Sequence, residues 1–146
     1  MDTQPRNAII DSGVLAAAVN SNDEQYEWAA GMLNAVTGRS ITCEAAITEA
    51  VHLVKNSAPA VGRLQELLGR VEIIRLEENV REILDTVRHY TPRMDYADAC
   101  AVTLQKETQN SFVITVDHND FTIYRVPFAS PAGAFYDKRK PHRRRD

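Results

Sequence analysis

The feature that most limits how this chain can fold is an alternation of strand-like and helix-like segments. Short apolar runs of strand length recur between longer stretches with helical spacing, and the first run ends on an acid. Asn7-Ala8-Ile9-Ile10-Asp11 reads as a buried strand closing on a carboxylate, after which Ser12 to Val19 turns helical. Asn20-Ser21-Asn22-Asp23 is a turn cluster able to cap a helix, and Glu24 to Val36 carries apolar residues at helical spacing up to Gly38. Ser40-Ile41-Thr42 predicts a second strand and Cys43 to about Lys55 a helix. Pro59 opens a further helix that closes at Gly69. Val71 to Leu76 predicts a strand and Glu77 to Tyr90 a helix ended by Thr91-Pro92. Met94 to Gln105 predicts another helix, Ser111 to Val116 a strand, and Ile123 to Val126 a last short strand. Such an alternation argues for an α/β domain of three layers, α/β/α, around a central, mostly parallel sheet of about five strands.

The chain has 146 residues, enough for one domain with a real core and too few for two. No apolar run approaches the roughly 20 residues of a membrane helix, and the polar start, Met1 to Arg6, does not read as a signal peptide. A cytoplasmic location is the expectation. Cys43 and Cys100 form no Cys-x-x-Cys pair and read as buried free thiols in a reducing compartment. The net charge of −3 hides an asymmetry. Residues 137–146 carry Lys138, Arg139, Lys140, Arg143, Arg144 and Arg145 against two aspartates, so this segment is +4 and the body −7. The expected organisation is a domain over 1–130 followed by a basic, flexible tail over 131–146. An acidic body suits nucleic-acid binding only where metal offsets some of its carboxylates.

The acids fall where an α/β sheet presents its working groups. Asp11 ends the first strand, and Asp117 and Asp120 follow the strand that ends at Val116. Glu49 has Ala45, Ala46 and Leu53 one turn away, which places it beside an apolar stripe. Asp98 has Met94, Ala101 and Val102 in the same relation, and Asp95 projects from the same side of that helix. A buried carboxylate without a partner costs several kcal/mol. No Lys or Arg stands three or four residues from Glu49 or Asp98. A divalent cation satisfies such a set, and oxygen donors without a Cys or His cluster suit Mg²⁺ or Mn²⁺, as one or two ions. Taken singly, each acid has a plainer reading: a helix cap for Asp11, a surface position for Glu49, a pairing of Asp98 with Arg63 or Arg88, a helix-start carboxylate for Asp95, turn residues for Asp117 and Asp120.

These segments also resemble the PIN-domain family. Ile9-Ile10-Asp11-Ser12-Gly13-Val14-Leu15 is similar to the family's opening, Ile47-Thr48-Glu49-Ala50 to its helical glutamate, and Met94-Asp95-Tyr96-Ala97-Asp98-Ala99 to its third motif. Thr115-Val116-Asp117-His118-Asn119-Asp120-Phe121 is similar to its fourth, and the four occur in order across residues 8–126. The resemblance implies a metal-dependent ribonuclease whose acidic pocket is built from Asp11, Glu49, Asp98 and Asp117. It makes Asp120 a further metal ligand, and Ser12 and Asp95 accessory groups. It also implies RNA as substrate, a homodimer, and kinship with VapC-type toxins held inactive by an antitoxin protein. Tyr26 departs from the histidine that many such toxins carry there, which weakens the toxin assignment more than the nuclease one. The basic tail, Lys138 to Arg145, is a candidate backbone-binding segment. His118 stands beside Asp117 within reach of a phosphate, although a turn histidine is ordinarily a surface residue. A haloacid-dehalogenase-type phosphatase also has an Asp after its first strand, but Gly13 occupies the place of its second acid. The remaining alternative is a catalytically inactive PIN-like module that binds RNA or protein.

Overall fold

The structure is a computed structural model, and it describes residues 4–135. The alternation in the sequence becomes one six-stranded sheet of order β3-β2-β1-β4-β5-β6. The strands are β1 (Asn7–Ile10), β2 (Ser40–Cys43), β3 (Glu72–Ile74), β4 (Ser111–Ile114), β5 (Phe128–Ser130) and β6 (Gly133–Phe135). The first five run parallel; β6 returns antiparallel on β5 as a hairpin. The sheet therefore runs past residue 130 to Phe135, while Lys138, Arg139, Lys140, Arg143, Arg144 and Arg145 lie outside the described residues. The helices are α1 (Ser12–Ala18), α2 (Tyr26–Ala35), α3 (Glu44–Leu53), α4 (Ala58–Leu68), α5 (Val80–His89), α6 (Tyr96–Glu107) and α7 (His118–Tyr124). None among the described residues is long and apolar enough to cross a membrane.

Strand β1 is the centre of the sheet because it can be buried on both sides. Ala8, Ile9 and Ile10 are buried, as are all four residues of its neighbour β4. Such continuous apolar runs are what a covered parallel sheet requires. Helix α6 is the most enclosed helix, with Ala97 and Ala99 to Leu104 buried; its small side chains let it pack on β1, β2 and β4 as well as on α3 and α5. Helices α1 and α3 also pack together, so the acids carried by α3 and α6 come up beside the end of β1.

One sequence expectation is corrected. Ile123 to Val126 is not a strand: Ile123 and Tyr124 belong to α7, and the last parallel strand begins at Phe128. The β-branched and aromatic residues there mimic a strand locally. The Asp117 carboxylate accepts a hydrogen bond from Asp120 N at 3.0 Å and starts a helix instead. Arg125 then closes it in the left-handed conformation.

Two glycines give opposite tests of packing. A Cβ on Gly38 would lie 2.7 Å from the Arg6 carbonyl oxygen, in the tight crossing where Gly38 N donates to that same oxygen. A Cβ on Gly31, within α2, would meet nothing within 4 Å. Gly38→Ala is expected to destabilise the domain by about 1–3 kcal/mol and Gly31→Ala to stabilise it by about 0.5–1 kcal/mol. Urea denaturation checks both, and equal shifts would contradict the packing described here.

Candidate active site

Strand order reverses its direction of growth between β1 and β4, since β1 has β2 on one side and β4 on the other. The cleft outside the carboxyl ends of these two strands is where an open α/β sheet gathers ligands. Asp11 follows β1 and is buried there. Its Oδ1 accepts a hydrogen bond from Ser12 N at 2.9 Å, which caps α1, and its Oδ2 accepts one from the Thr115 hydroxyl at 2.8 Å. Thr115 is fully buried just beyond β4, and its oxygen also accepts from Asp117 N at 3.0 Å. A single hydroxyl thus ties the ends of the two central strands together.

Helix α3 brings Glu49 to the same place. The Ser12 hydroxyl donates a short hydrogen bond to Glu49 Oε1, which joins α1 to α3. Helix α6 supplies the third arm. Asp95 is its cap, accepting from Asp98 N at 2.8 Å, and its side is exposed. Asp98 is half-buried, and its Oδ2 accepts from the Tyr124 hydroxyl at 3.0 Å. Asp98 therefore pairs with a phenol, and not with Arg63 or Arg88. Arg63 donates to the Val19 carbonyl oxygen and Arg88 pairs with Asp85 on the surface. Asp117 caps α7, and Asp120 makes a 2.8 Å ion pair with Arg93.

The charges interact strongly. Burial raises the Asp11 carboxyl to about 6, opposed by its bonds to Thr115 and Ser12 and reinforced by the charges of Glu49 and Asp95. Burial also raises Asp98 to about 8, and the negative charges of Asp11 and Asp95 push the same way. Asp117 is raised by burial and by Asp120, with Arg93 opposing. The Tyr124 hydroxyl is pushed up by burial and by the Asp98 carboxylate it faces, so it remains a donor.

The structure thus places Glu49 and Asp95 within electrostatic reach of Asp11, and Asp11 and Asp95 within reach of Asp98, at one pole of the sheet. Asp117 and Asp120 form a second pair, joined to the first through Thr115 and through Tyr124. His118 faces away: its Nδ1 is 3.2 Å from Ser130 Oγ, and its ring packs on Phe128 and Phe135. The structure adds three groups to the acids expected from the sequence, namely Thr115, Tyr124 and Arg93. The first has a local signal, a Thr two residues before an Asp at a strand end. The other two lie 26 and 27 residues from the acids they touch, and no spacing rule connects them.

Among the described residues no three Asp, Glu, His or Cys groups converge as a ready-made metal cage. The donor set is nonetheless of the right chemistry. Asp98 and Glu49 each engage one oxygen with a neutral hydroxyl and keep the other, and a carboxylate offers about four lone-pair sites in all. The neighbouring negative charges raise Asp11 and Asp98, a situation that a hard cation relieves.

A parallel sheet whose central strand ends carry acids, met by acids from two crossover helices, defines an α/β domain with an acidic pole. Residues 8–129 match the PIN domain, and the chain belongs to that family. Its fold is similar to that of VapC20 of Mycobacterium tuberculosis, a toxin described as cleaving the sarcin-ricin loop: TM-score 0.70, 17% identity, 81% of this chain and 95% of that one covered. It is also similar to VapBC2 of Rickettsia felis, solved bound to a DNA fragment from its promoter: TM-score 0.58, 16% identity, 80% and 92% covered. No curated protein matches the sequence.

The raised carboxyls set the pH dependence of stability in a chelator. In the unfolded chain these aspartates lose their protons near 3.8, whereas folded Asp11 holds its proton to about 6 and Asp98 to about 8. The folded state binds more protons across that window, so stability falls as pH rises from about 4 to about 8. Asp98→Asn keeps an acceptor for Tyr124 and removes the charge. It is expected to melt a few degrees above wild type at pH 8 and level with it at pH 4. Thermal unfolding in EDTA at the two pH values checks this, and a variant less stable at pH 8 would contradict it.

Proposed function

We propose that this PIN-domain protein is a divalent-metal-dependent endoribonuclease, with Asp11, Glu49, Asp98 and Asp117 as its core acids. The observation that carries the reading is that Asp11 and Asp98, at the switch point between β1 and β4, are both raised by burial and by the negative charges of neighbouring acids. The residues suited to hold Mg²⁺ or Mn²⁺, as one or two ions, are these four with Asp120. Such an ion, when bound, activates water for attack on a phosphodiester and offsets charge on the phosphoryl group.

The chain's own residues have distinct tasks. Thr115 and Ser12 N fix both oxygens of Asp11, so its carboxylate cannot rotate away from the cleft. Ser12 orients Glu49, and Tyr124 orients Asp98 by donating to one oxygen. Asp95 acts as an accessory charge at the exposed rim. Arg93, exposed and held by Asp120, is placed to meet a phosphate oxygen at the edge of the acidic pole. No side-chain nucleophile is needed for a hydrolysis by activated water.

The finer biology is proposed on the same basis. The likeness to VapC20 and VapBC2 supports a toxin of the VapC type, acting on RNA in the cytoplasm, dimeric, and neutralised by a small antitoxin protein. The basic segment from Lys138 to Arg145 would then grip the RNA backbone with a salt-dependent affinity.

Purified protein is expected to cleave RNA in Mg²⁺ or Mn²⁺ and not in EDTA. Asp11→Asn and Asp98→Asn should each lower the rate by about 100-fold or more while remaining folded. Equal cleavage by the variants would mean that the activity is foreign to the protein and would leave the inactive binding module as the better reading. Growth arrest on expression of wild type but not Asp11→Asn, relieved by a co-expressed neighbouring small protein, tests the toxin assignment separately. Arg93→Ala should raise KM for RNA several-fold with a smaller change in kcat, since its proposed partner is a phosphate and not the reacting water.

A further inference from the structure

The two cysteines, far apart in the sequence, meet in the fold. Cys43 is the last residue of β2 and stands at the cap of α3; Cys100 lies in the second turn of α6, which packs on β2 and α3. Both are buried, at 3% and 1% exposure, and the two thiols lie close enough to influence each other electrostatically. They also line one cavity of about 210 Å³, together with Tyr96, Ile74 and the surface residues Arg75 and Glu77. Arg75 and Glu77 pair with each other in solvent, 78% and 62% exposed, so the cavity reaches the surface beside them. Two neighbouring buried thiols on the wall of one cavity differ from two isolated core cysteines.

We propose that Cys43 and Cys100 are a reversible disulfide site that responds to hydrogen peroxide. One sulfur, as thiolate, attacks a peroxide oxygen; the O–O bond breaks, a sulfenic acid forms, and hydroxide leaves as water. The second thiol then attacks that sulfenic sulfur, the S–O bond breaks, and the oxygen leaves as a second water carrying the thiol proton. Two thiols lose two electrons between them, and the peroxide gains them. A dithiol reductant reverses the step by exchange.

The consequence for the acidic pole rests on the ribonuclease reading above. An S–S bond is about 2 Å long, shorter than any non-bonded thiol contact, so oxidation must draw α6 and the start of α3 together. Those two helices carry Asp98, two residues from Cys100, and Glu49, six residues from Cys43. Displacements on the scale of 1 Å in catalytic groups cost on the order of 100-fold in rate. Oxidation is therefore expected to lower RNA cleavage by about ten-fold or more, with recovery on reduction.

The experiment treats the full-length protein with hydrogen peroxide, denatures it, and alkylates the remaining thiols before mass analysis. The expected product has lost two hydrogens, takes no alkylating reagent, runs as a monomer without reductant, and yields one cross-linked peptide pair. Dithiothreitol should restore two alkylatable thiols. Recovery of both thiols unchanged, over-oxidation of one cysteine to a sulfinic acid, or a dimer linked between chains would each overturn the site. Cys43→Ser and Cys100→Ser, verified as folded by circular dichroism, should both lose the product; the wild-type result decides if either fails to fold. The same samples are assayed on RNA with Mn²⁺. A disulfide that forms without changing cleavage overturns the coupling to the acidic pole. A reduced protein that does not cleave RNA overturns the ribonuclease reading, while the mass result still decides the disulfide.

Discussion

Everything at the acidic pole depends on the pairing of β1 with β4 and on the hydroxyl that closes it. The two strands run parallel in register from Asn7 with Ser111 to Ile10 with Ile114, and each leaves the sheet one residue later. There the chain must turn into a helix, and the backbone N–H groups at both exits need acceptors. Asp11 answers the first by capping α1, and Thr115 answers the second by accepting from Asp117 N. The Thr115 proton then goes to Asp11. One fully buried side chain so satisfies two strand exits and fixes a carboxylate that burial alone would drive to its neutral form. Removal of that hydroxyl leaves Asp11 with less compensation for a cost of several kcal/mol, which is why a valine of the same shape is not an equivalent residue here.

The supports of the other acids follow a common rule: neutral donors or one exposed cation, never a buried salt bridge. Tyr124 donates to Asp98, Ser12 to Glu49, and Arg93 to Asp120 at the surface. A buried arginine would neutralise the cluster permanently, because its charge cannot be removed near neutral pH. Hydroxyls orient carboxylates without cancelling their charge. The site therefore keeps a deficit of positive charge that something outside the chain can fill. The same choice explains the acidic body of a chain whose lysines and arginines concentrate at its end.

The parallel sheet and the places of Asp11, Glu49, Asp98 and Asp117 on its elements were legible because they rest on local rules. Strand period, helix spacing and an acid at a strand end all act within about one turn of chain. The residues that complete the site were not legible for the converse reason. Tyr124 reaches Asp98 across the gap between α7 and α6, and Arg93 reaches Asp120 from the loop before α6. Tyr124 also lies in a segment whose local pattern is that of a strand, which hides its place on α7 beside Asp98. Local β preference at Ile123, Tyr124 and Val126 yields to a cap at Asp117 and to burial of Phe121 and Tyr124 on the aromatic side of β5. The hairpin strand β6, Gly133 to Phe135, escaped notice because three residues carry too little period to be read. The contact between Cys43 and Cys100 escaped for the same reason as Tyr124: it is made by the topology, 57 residues apart, and by no motif.

If the acidic pole holds a divalent ion as proposed, protons and cations compete for it. With the cluster free of cations, the favourable way to relieve Asp11 and Asp98 is to protonate them, and both hold protons well above the usual carboxylate range. On the proposed reading, a divalent ion must displace those protons before it can be held, so its affinity rises with pH over the same interval in which the metal-free fold loses stability. The two dependences have one origin. The carboxylates that weaken the empty fold at neutral pH are the groups that would make the loaded fold stronger there, because a ligand bound only by the folded state adds its binding free energy to stability. On that reading, a protein that sacrifices stability at one pole of its sheet would gain a site whose occupancy is set by cation and proton together, with Thr115, Ser12 and Tyr124 holding the acids in place.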